Sequence, residues 1–244
     1  QSDLADAHED GMQHIVSQTI DYIDDLKKNG AGLSTGFESI DKLLNGLRNG
    51  TLTIIAGRPS MGKSTLAMNF ANNISKNKSV LFYSLEMTQV QLMMKLVSSE
   101  TDIPLWKVER NQLTEDENER WYKALAQAGN KNMTIIDKCG ITAEDIVVKA
   151  RQLHGQHELG LIVVDYLQIM KYDKSKEVSE LGNITRELKY LSKELDIPVI
   201  LLSQLSRGVE YRGNKRPLMS DLRSSGEIEQ DADVIMMCYR DEYY

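Results

Sequence analysis

The sequence predicts an α/β fold in which a mainly parallel, twisted sheet carries helices on both faces. Short apolar runs of strand length alternate along the 244-residue chain with amphipathic stretches of helical period. The run at residues 161–164 is apolar throughout, as expected for a strand that is covered on both sides. No apolar segment reaches the roughly 20 residues that a membrane-spanning helix requires. The length suits one such domain with a short appendage.

The predicted elements follow one another in a regular order. Strands are predicted at residues 51–56, 80–85, 133–136, 161–164, 198–202 and 234–237. Helices are predicted at residues 12–28, 63–76, 89–99, 115–128 and 178–195, and from Thr142 onward. Thr114 is the expected N-cap of one helix, and Thr142 with Asp145 forms a variant of the capping box at another. Ligands of such sheets bind beyond the carboxyl ends of the strands.

The first predicted helix divides the chain into a tail with a helix at residues 1–30 and a main domain at residues 31–244. Its apolar face is formed by Met12, Ile15, Val16, Thr19, Ile23 and Leu26. A lone helix cannot bury such a face by itself. We therefore expect it to pack on this domain or on a neighbouring subunit.

A phosphate-binding loop follows the first predicted strand. The motif G-x-x-x-x-G-K-[ST] is matched by Gly57-Arg58-Pro59-Ser60-Met61-Gly62-Lys63-Ser64, with Thr65 next. Its glycines allow backbone N–H groups to surround phosphate oxygens, and the following helix adds positive potential at its N-terminus. Lys63 is expected to reach the β- and γ-phosphates, and the Ser64 hydroxyl to bind Mg²⁺. The alternative, a glycine-rich turn that binds nothing, is disfavoured by the strand–loop–helix context.

Three further polar residues lie at or after the ends of predicted strands. Asp165 closes an apolar strand and is a candidate Mg²⁺ ligand, although a strand-end charge facing solvent or a helix N-cap is the alternative. Glu86 is a candidate general base for the attacking water, or else an acid in the first turn of a helix. Gln204 is either a sensor of the γ-phosphate or a solvated loop residue, and Ser203 is an alternative polar group for the sensor role.

Charge and cysteine content narrow the possible functions. The formal net charge is −7, whereas proteins that wrap DNA non-specifically are usually basic. Any nucleic-acid contact is therefore expected in particular loops. The two cysteines, Cys139 and Cys238, are far apart and lack metal-ligand spacing, which favours reduced thiols in a cytoplasmic protein.

Several blocks of sequence, taken together, resemble the C-terminal domain of DnaB-type replicative helicases. The resemblance runs in order from about residue 12 to residue 244. Besides the phosphate loop, it is carried by Gly32-Leu33-Ser34-Thr35-Gly36-Phe37, Ser84-Leu85-Glu86-Met87, Val164-Asp165-Tyr166-Leu167-Gln168, Ser203-Gln204-Leu205, Arg216-Pro217-Leu218-Met219-Ser220-Asp221-Leu222-Arg223 and Glu229-Gln230-Asp231-Ala232-Asp233.

The resemblance implies a RecA-like fold and a homo-hexameric ring that encircles one DNA strand, with ATP between adjacent subunits. It implies that Glu86 is the catalytic base, Asp165 the Mg²⁺ ligand and Gln204 the γ-phosphate sensor. The first helix is similar to the linker helix of the family, which docks on the neighbouring subunit. A primase and a helicase loader are the implied protein partners, in the cytoplasm of a bacterial cell, for a protein of bacterial or phage origin.

The family also has two parts that this sequence does not include. One is an N-terminal domain before the linker helix, which supports ring assembly and primase binding. The other is a strand with a Lys-x-Arg segment beyond Tyr244, which supplies an arginine finger to the next subunit's ATP. If the chain lacks that finger, hydrolysis is expected to be slower by about 10³-fold or more.

Two predicted loops carry local positive charge toward what would be the ring channel. Residues 171–176 include three lysines and one acid, and residues 205–226 include five cations against two acids, a net charge of +3. These suit sequence-independent backbone contacts to a single strand, with a solvated surface as the alternative. The candidate contacts are Arg207, Arg212, Lys215, Arg216, Arg223, Ser224 and Gly226. By resemblance the last three are matched contacts, although the family usually has Glu at the position of Ser224.

Two rival interpretations share the phosphate loop. A recombinase-like filament ATPase would share the sheet as well, but the blocks at residues 216–223 and 229–233 are typical of the helicases. A nucleotide-dependent switch or loader would hydrolyse ATP slowly and without stimulation by DNA. Because the basic segment lies directly after Gln204 on the same chain, we expect it to shift with Gln204 when the γ-phosphate is lost.

Overall fold

The computed structural model describes residues 11–29, 32–222 and 225–243, and its centre is one six-stranded parallel sheet. The strand order is β3-β2-β4-β5-β1-β6. The strands are β1 (Leu52–Gly57), β2 (Ser79–Ser84), β3 (Met133–Ile136), β4 (Leu159–Asp165), β5 (Val199–Gln204) and β6 (Val234–Met237). The predicted α/β class and all six predicted strands are confirmed: β3 and β6 have the predicted ends, and the ends of the other four differ by one or two residues.

Six of the helices agree with the predicted positions, and three short ones were not predicted. The predicted helices are α1 (Met12–Asn29), α3 (Lys63–Ile74), α4 (Gln89–Thr101), α6 (Glu115–Ala128), α7 (Ala143–Gln156) and α8 (Glu177–Glu194). The short helices are α2 (Glu38–Leu44), α5 (Leu105–Glu109) and α9 (Ser225–Asp231), each too short to produce a clear helical period. Thr114 and Thr142 cap α6 and α7 as expected, each within a capping box.

Alternation along the strands builds a separate core on each face of the sheet. In β1, Leu52 and Ile54 pack with α7 and α8 residues such as Ala150 and Leu188 on one face. Ile55 packs on the other face with residues of α3 and α4. All strand residues of β4 and β1 are buried. The sheet is therefore held rigidly between two helical layers, so the carboxyl ends of its strands are well fixed.

The segment at residues 205–222 is more ordered than its glycines suggest. A 3₁₀ helix covers Arg207–Tyr211, and a second covers Met219–Asp221. Leu205 pairs with Leu222 across an antiparallel bridge, and the Ser206 N–H donates to the Asp221 carbonyl at 2.8 Å. The three glycines at residues 205–226, Gly208, Gly213 and Gly226, predict a mobile loop, whereas the structure has a folded base with an exposed tip.

Helix α1 contributes almost nothing to the core of this domain. Met12, Ile15, Val16 and Ile23 are all exposed, and Leu26 is half-buried. The apolar face of α1 was expected to pack either on this domain or on a neighbouring subunit. The structure shows that this domain does not cover it. Separately, among the described residues no helix combines the length and the low polarity that crossing a membrane requires.

Candidate nucleotide-binding site

Four neighbouring strands bring the predicted site residues to one edge of the sheet. In the order β2-β4-β5-β1, their carboxyl ends lead to Glu86, Asp165, Gln204 and the phosphate loop. All pairings between these strands are parallel, so their carboxyl ends lie at the same edge. Gly57 at the end of β1 is paired in register with Gln204 at the end of β5. This is the edge at which ligands of open α/β sheets bind.

The phosphate loop has the backbone geometry of an anion-binding turn. Ser60 and Gly62 have positive φ values of 64° and 92°, and α3 begins directly after Gly62. A Cβ atom on Gly57 would lie 3.2 Å from the Cβ of Cys238 and 3.3 Å from the Cγ of Lys63, so only glycine fits here without displacement. The first turn of α3 carries no acidic residue, which leaves its N-terminal potential available to an anion.

A cleft of about 500 Å³ lies over this edge, a size within the usual range of small-molecule sites. Among the predicted nucleotide-binding residues, those that line it are Pro59, Ser60, Gly62, Lys63, Ser64 and Thr65. Glu86 and Gln204 line it as well. Gly57, Arg58 and Met61 belong to the same loop but do not line the cleft. Met61 is buried, and the Arg58 side chain turns toward residues 205–210.

Lys63 is poised at the centre of the loop. Its Nζ atom donates to the Arg58 carbonyl at 3.3 Å. Burial lowers the pKa of Lys63, and the negative charges of Asp165 and Glu86 partly oppose that decrease. A partly buried ammonium whose own contacts are this weak is a strong attractor for phosphate oxygens.

Asp165 is a buried carboxylate without adequate hydrogen-bond partners. Its side chain is 1% exposed, and neither carboxylate oxygen has a partner of acceptable geometry. Burial raises the pKa of Asp165, while the nearby Ser64 hydroxyl and the Lys63 ammonium lower it. The Ser64 hydroxyl thus lies close to the carboxylate but does not satisfy it geometrically. Burial rules out the alternative of a strand-end charge in solvent.

The donor set of Ser64 and Asp165 fits a magnesium ion. Hard cations prefer oxygen ligands, and Mg²⁺ is commonly held by one or two protein oxygens together with substrate phosphates. The orphaned oxygens of Asp165 beside the Ser64 hydroxyl match that pattern. Within the described ranges, no cluster of three or more His, Cys, Asp or Glu residues forms a cage for another kind of metal.

Glu86 lies in the cleft between β2 and α4. It is exposed, and Thr88 rather than Glu86 caps α4, which begins at Gln89. The Ser84 hydroxyl donates to the Met87 carbonyl at 2.7 Å and so turns the chain after β2. Glu86 is therefore outside the first turn of α4, which disfavours the alternative of a simple helix-dipole acid.

Gln204 is held by a residue that the sequence analysis did not single out. The Gln204 N–H donates to the Oε1 of Gln168 at 3.1 Å, and the Nε2 of Gln168 donates to the Ser203 hydroxyl at 3.0 Å. Gln168 thus joins the segment after β4 to the last two residues of β5. The backbone of Gln204 is fixed, while its side chain lines the cleft.

Four other residues that line the cleft were not predicted as site residues: Met87, Lys95, Tyr166 and Arg240. Lys95 comes from α4 and is electrostatically coupled to Asp165. One signal could have identified it, because it is the only charged residue between Glu86 and Glu100. Arg240 lies near the end of the chain and pairs with Glu242.

The predicted DNA contacts differ in how free their side chains are. Arg207 is exposed, and Arg216 is exposed with its Cζ atom 5.5 Å from the Tyr239 ring centroid. The Lys215 Nζ donates to the Glu210 carbonyl at 3.2 Å. Gly226 is exposed in the first turn of α9. Arg223 and Ser224 lie outside the described residues.

Arg212 is already occupied within the protein. Its Nη1 and Nη2 atoms donate to the two carboxylate oxygens of Asp221 at 2.9 and 2.7 Å, and Nη2 also donates to the Arg216 carbonyl at 2.9 Å. Asp221 is buried, so this pair closes the base of the segment. Among the predicted contacts that the structure describes, Arg212 makes the most hydrogen bonds within the protein.

Comparison with known structures supports both the fold and the family relationship. A solved ATPase domain superimposes with a TM-score of 0.90 at 34% identity, covering 97% of this chain and 86% of that one. A DnaB-like replicative helicase described with its primase interactions has a TM-score of 0.87 at 34% identity and covers 96% and 57%. The RadB recombinase, at 19% identity and a TM-score of 0.54 over 84% and 82%, shares the fold alone.

Sequence comparison identifies the family. The replicative DNA helicase DnaC of Bacillus subtilis (strain 168) is 40% identical over 241 residues, which cover 96% of this chain and 53% of the relative. The replicative DNA helicase DnaB of Geobacillus stearothermophilus is 41% identical over 244 residues, with 96% and 53% covered. The chain thus spans about half the length of these relatives. The model of the DnaB-like helicase C terminal domain matches residues 32–244, and the chain belongs to that family.

Proposed function

We propose that this chain is the ATP-hydrolysing motor domain of a replicative DNA helicase. The observation that carries the proposal is the pairing of Gly57 with Gln204, which joins the phosphate loop to the root of the basic segment. The Leu205 N–H extends this connection by donating to the Gly57 carbonyl at 3.3 Å. A change at the phosphates therefore reaches the cationic segment through adjacent backbone.

Each residue of the cleft has a separate role in the hydrolysis of ATP. The backbone from Gly57 to Thr65 surrounds the phosphates, and Lys63 contacts the β- and γ-phosphates. Glu86 orients the attacking water and accepts its proton, because it is an exposed carboxylate that faces the cleft. Gln204 contacts the γ-phosphate through its amide. Lys95, on the α4 side of the cleft, adds a second positive charge.

Ser64 and Asp165 are the residues of this chain that hold Mg²⁺ in the proposal. When bound with ATP, the ion neutralises negative charge on the phosphates. Asp165 is suited to this task because its buried oxygens lack other partners. Burial also keeps water from competing for the carboxylate.

The basic segment after Gln204 contacts the phosphates of single-stranded DNA. Arg207 and Arg216 are exposed and offer charge to a polyanion, and Lys215 lies beside them. Arg212 braces the segment through Asp221 rather than contacting DNA directly. Such contacts do not depend on base sequence, as translocation along a strand requires.

A homo-hexameric ring explains the uncovered face of α1. The chain also has an apolar groove of about 500 Å³ between α4, α6 and β3, lined by residues that include Val90, Met93 and Leu125. We infer that α1 of one subunit docks in this groove of the next. The complete protein is then expected to work with a primase and a loader in the bacterial cytoplasm.

Replacing the general base separates binding from hydrolysis. In Glu86→Gln, the Kd for Mg-ATP is expected to stay within about twofold, while the hydrolysis rate falls by about 10²-fold or more. Calorimetry and a phosphate-release assay measure the two quantities. Glu109→Gln, an exposed residue at the end of α5, is the control and should retain full activity. Equal hydrolysis by Glu86→Gln and the parent contradicts the assignment.

Removing exposed cations should weaken DNA binding in a salt-dependent way. For Arg207→Ala with Arg216→Ala, the slope of log K against log salt for an oligo-dT strand should become shallower by about 0.7 per lost phosphate contact. Lys193→Ala is the matched control, because Lys193 packs near Gly50, which precedes β1 at the opposite edge of the sheet. An unchanged slope in the double variant rejects this surface as the DNA contact.

A charge on the apolar face of α1 should prevent ring assembly. Ile23→Asp is expected to leave the chain, or the complete protein that contains it, in smaller oligomers, since the aspartate would be desolvated in the contact. Mass photometry with an ATP analogue measures the distribution. Ser17→Asp, on the opposite face of α1, should assemble like the parent. Rings of equal abundance in both variants would rule out this contact.

A further inference from the structure

Arg58 connects the phosphate loop directly to the basic segment. Its Nε atom donates to the Oε1 of Glu210 at 2.8 Å, and its Nη1 atom donates to the Leu205 carbonyl at 2.8 Å. The Arg58 side chain is only 11% exposed and that of Glu210 is 38% exposed. The arginine is thus largely shielded from water, and its guanidinium spans two acceptors at once.

The backbone of Arg58 is also in contact with the phosphate-binding lysine. The Arg58 carbonyl accepts from the Lys63 Nζ at 3.3 Å and from the Met61 N–H at 3.3 Å. When Lys63 turns to a phosphate, it gives up its contact with Arg58. Nucleotide binding therefore changes the contacts of the Arg58 backbone, while the Arg58 side chain contacts the basic segment.

Glu210 is attached to the part of the segment that carries exposed charge. Its carbonyl accepts from the Nζ of Lys215. The neighbouring Val209 is fully buried, so the 3₁₀ helix at residues 207–211 moves as a unit with its anchor. A shift of Glu210 is therefore passed to Lys215 and to the adjacent Arg207.

We propose that the Arg58–Glu210 ion pair couples nucleotide binding to DNA binding, with Glu210 as a positioning residue. This inference rests on the proposed function and adds a second connection beside Gln204. The pair holds the segment in one position relative to the phosphate loop, and DNA bound on the segment in turn biases the loop. Coupling of this kind is reciprocal: DNA changes nucleotide affinity by the same factor by which nucleotide changes DNA affinity.

The test is a coupling factor, the ratio of the Kd for a non-hydrolysable Mg-ATP analogue without DNA to the Kd with saturating oligo-dT. In the parent chain, a factor of about 5 or more is expected. In Glu210→Ala, the Kd without DNA should stay within about twofold, and the factor should fall close to 1. The matched control is Glu194→Ala, which removes another glutamate paired with an arginine, Arg151, at 2.8 Å. It should keep the parent's factor.

The coupling factors of the parent and of Glu210→Ala together decide whether the inference holds. If the parent is coupled and Glu210→Ala is equally coupled, the inference is wrong and the proposed function stands. If the parent shows no coupling, both are contradicted. An equal loss of nucleotide affinity with and without DNA would show a merely structural role and would also overturn the inference.

A second variant covers the case in which Glu210→Ala unfolds at a lower temperature than the parent. Arg58→Lys keeps the positive charge of the phosphate loop, but an ammonium cannot span the Glu210 carboxylate and the Leu205 carbonyl as the planar guanidinium does. It should reduce the coupling factor as well. Full coupling in a stably folded Arg58→Lys would overturn the inference.

Discussion

The structure depends on the parallel register that sets β1 beside β5. Because Gly57 lies opposite Gln204, the loop that surrounds phosphate and the segment that carries exposed cations begin at adjacent points of one sheet. Both strands are buried between two helical layers, so a one-residue shift of either strand would turn each of its side chains into the opposite core. The remaining site residues, Glu86 and Asp165, are brought to the same edge by β2 and β4.

Much of this arrangement was predictable from local sequence, and the reasons are physical. Fully apolar strands and capped amphipathic helices give strong periodic signals, and the phosphate loop has a fixed spacing. The rule that ligands bind at the carboxyl edge then grouped Lys63, Glu86, Asp165 and Gln204 correctly in one region. Local sequence did not show that Asp165 is buried and unsatisfied, since that depends on how β4 packs against its neighbours.

The features that were missed depend on contacts between distant residues. Gln168 braces Ser203 and Gln204 across two strands, and Lys95 reaches the cleft only because α4 packs against α3 and α6. The basic segment was predicted as a mobile loop because its glycines are visible in the sequence. Two ion pairs hold the segment in its folded form, Arg212 with Asp221 and Arg58 with Glu210. Composition gives the number of charged residues but does not show which of them pair.

Those pairings also refine what the charge of the segment means. Composition alone does not distinguish these cations, but Arg212 forms an ion pair with the buried carboxylate of Asp221, whereas Arg207 and Arg216 remain exposed. Within a chain of net charge −7, a small number of exposed cations at one edge gives a local rather than a global attraction for DNA. The proposed movement along a DNA strand requires such a local attraction.

The central claim is that the loop from Gly57 to Thr65 binds a triphosphate. Titration calorimetry of Mg-ATP into the parent chain and into Lys63→Ala tests it most directly, with Lys76→Ala, an exposed lysine just after α3, as the control. The account predicts binding heat for the parent and for Lys76→Ala, and a loss of most or all of that heat for Lys63→Ala. Equal heats for the parent and Lys63→Ala would contradict it.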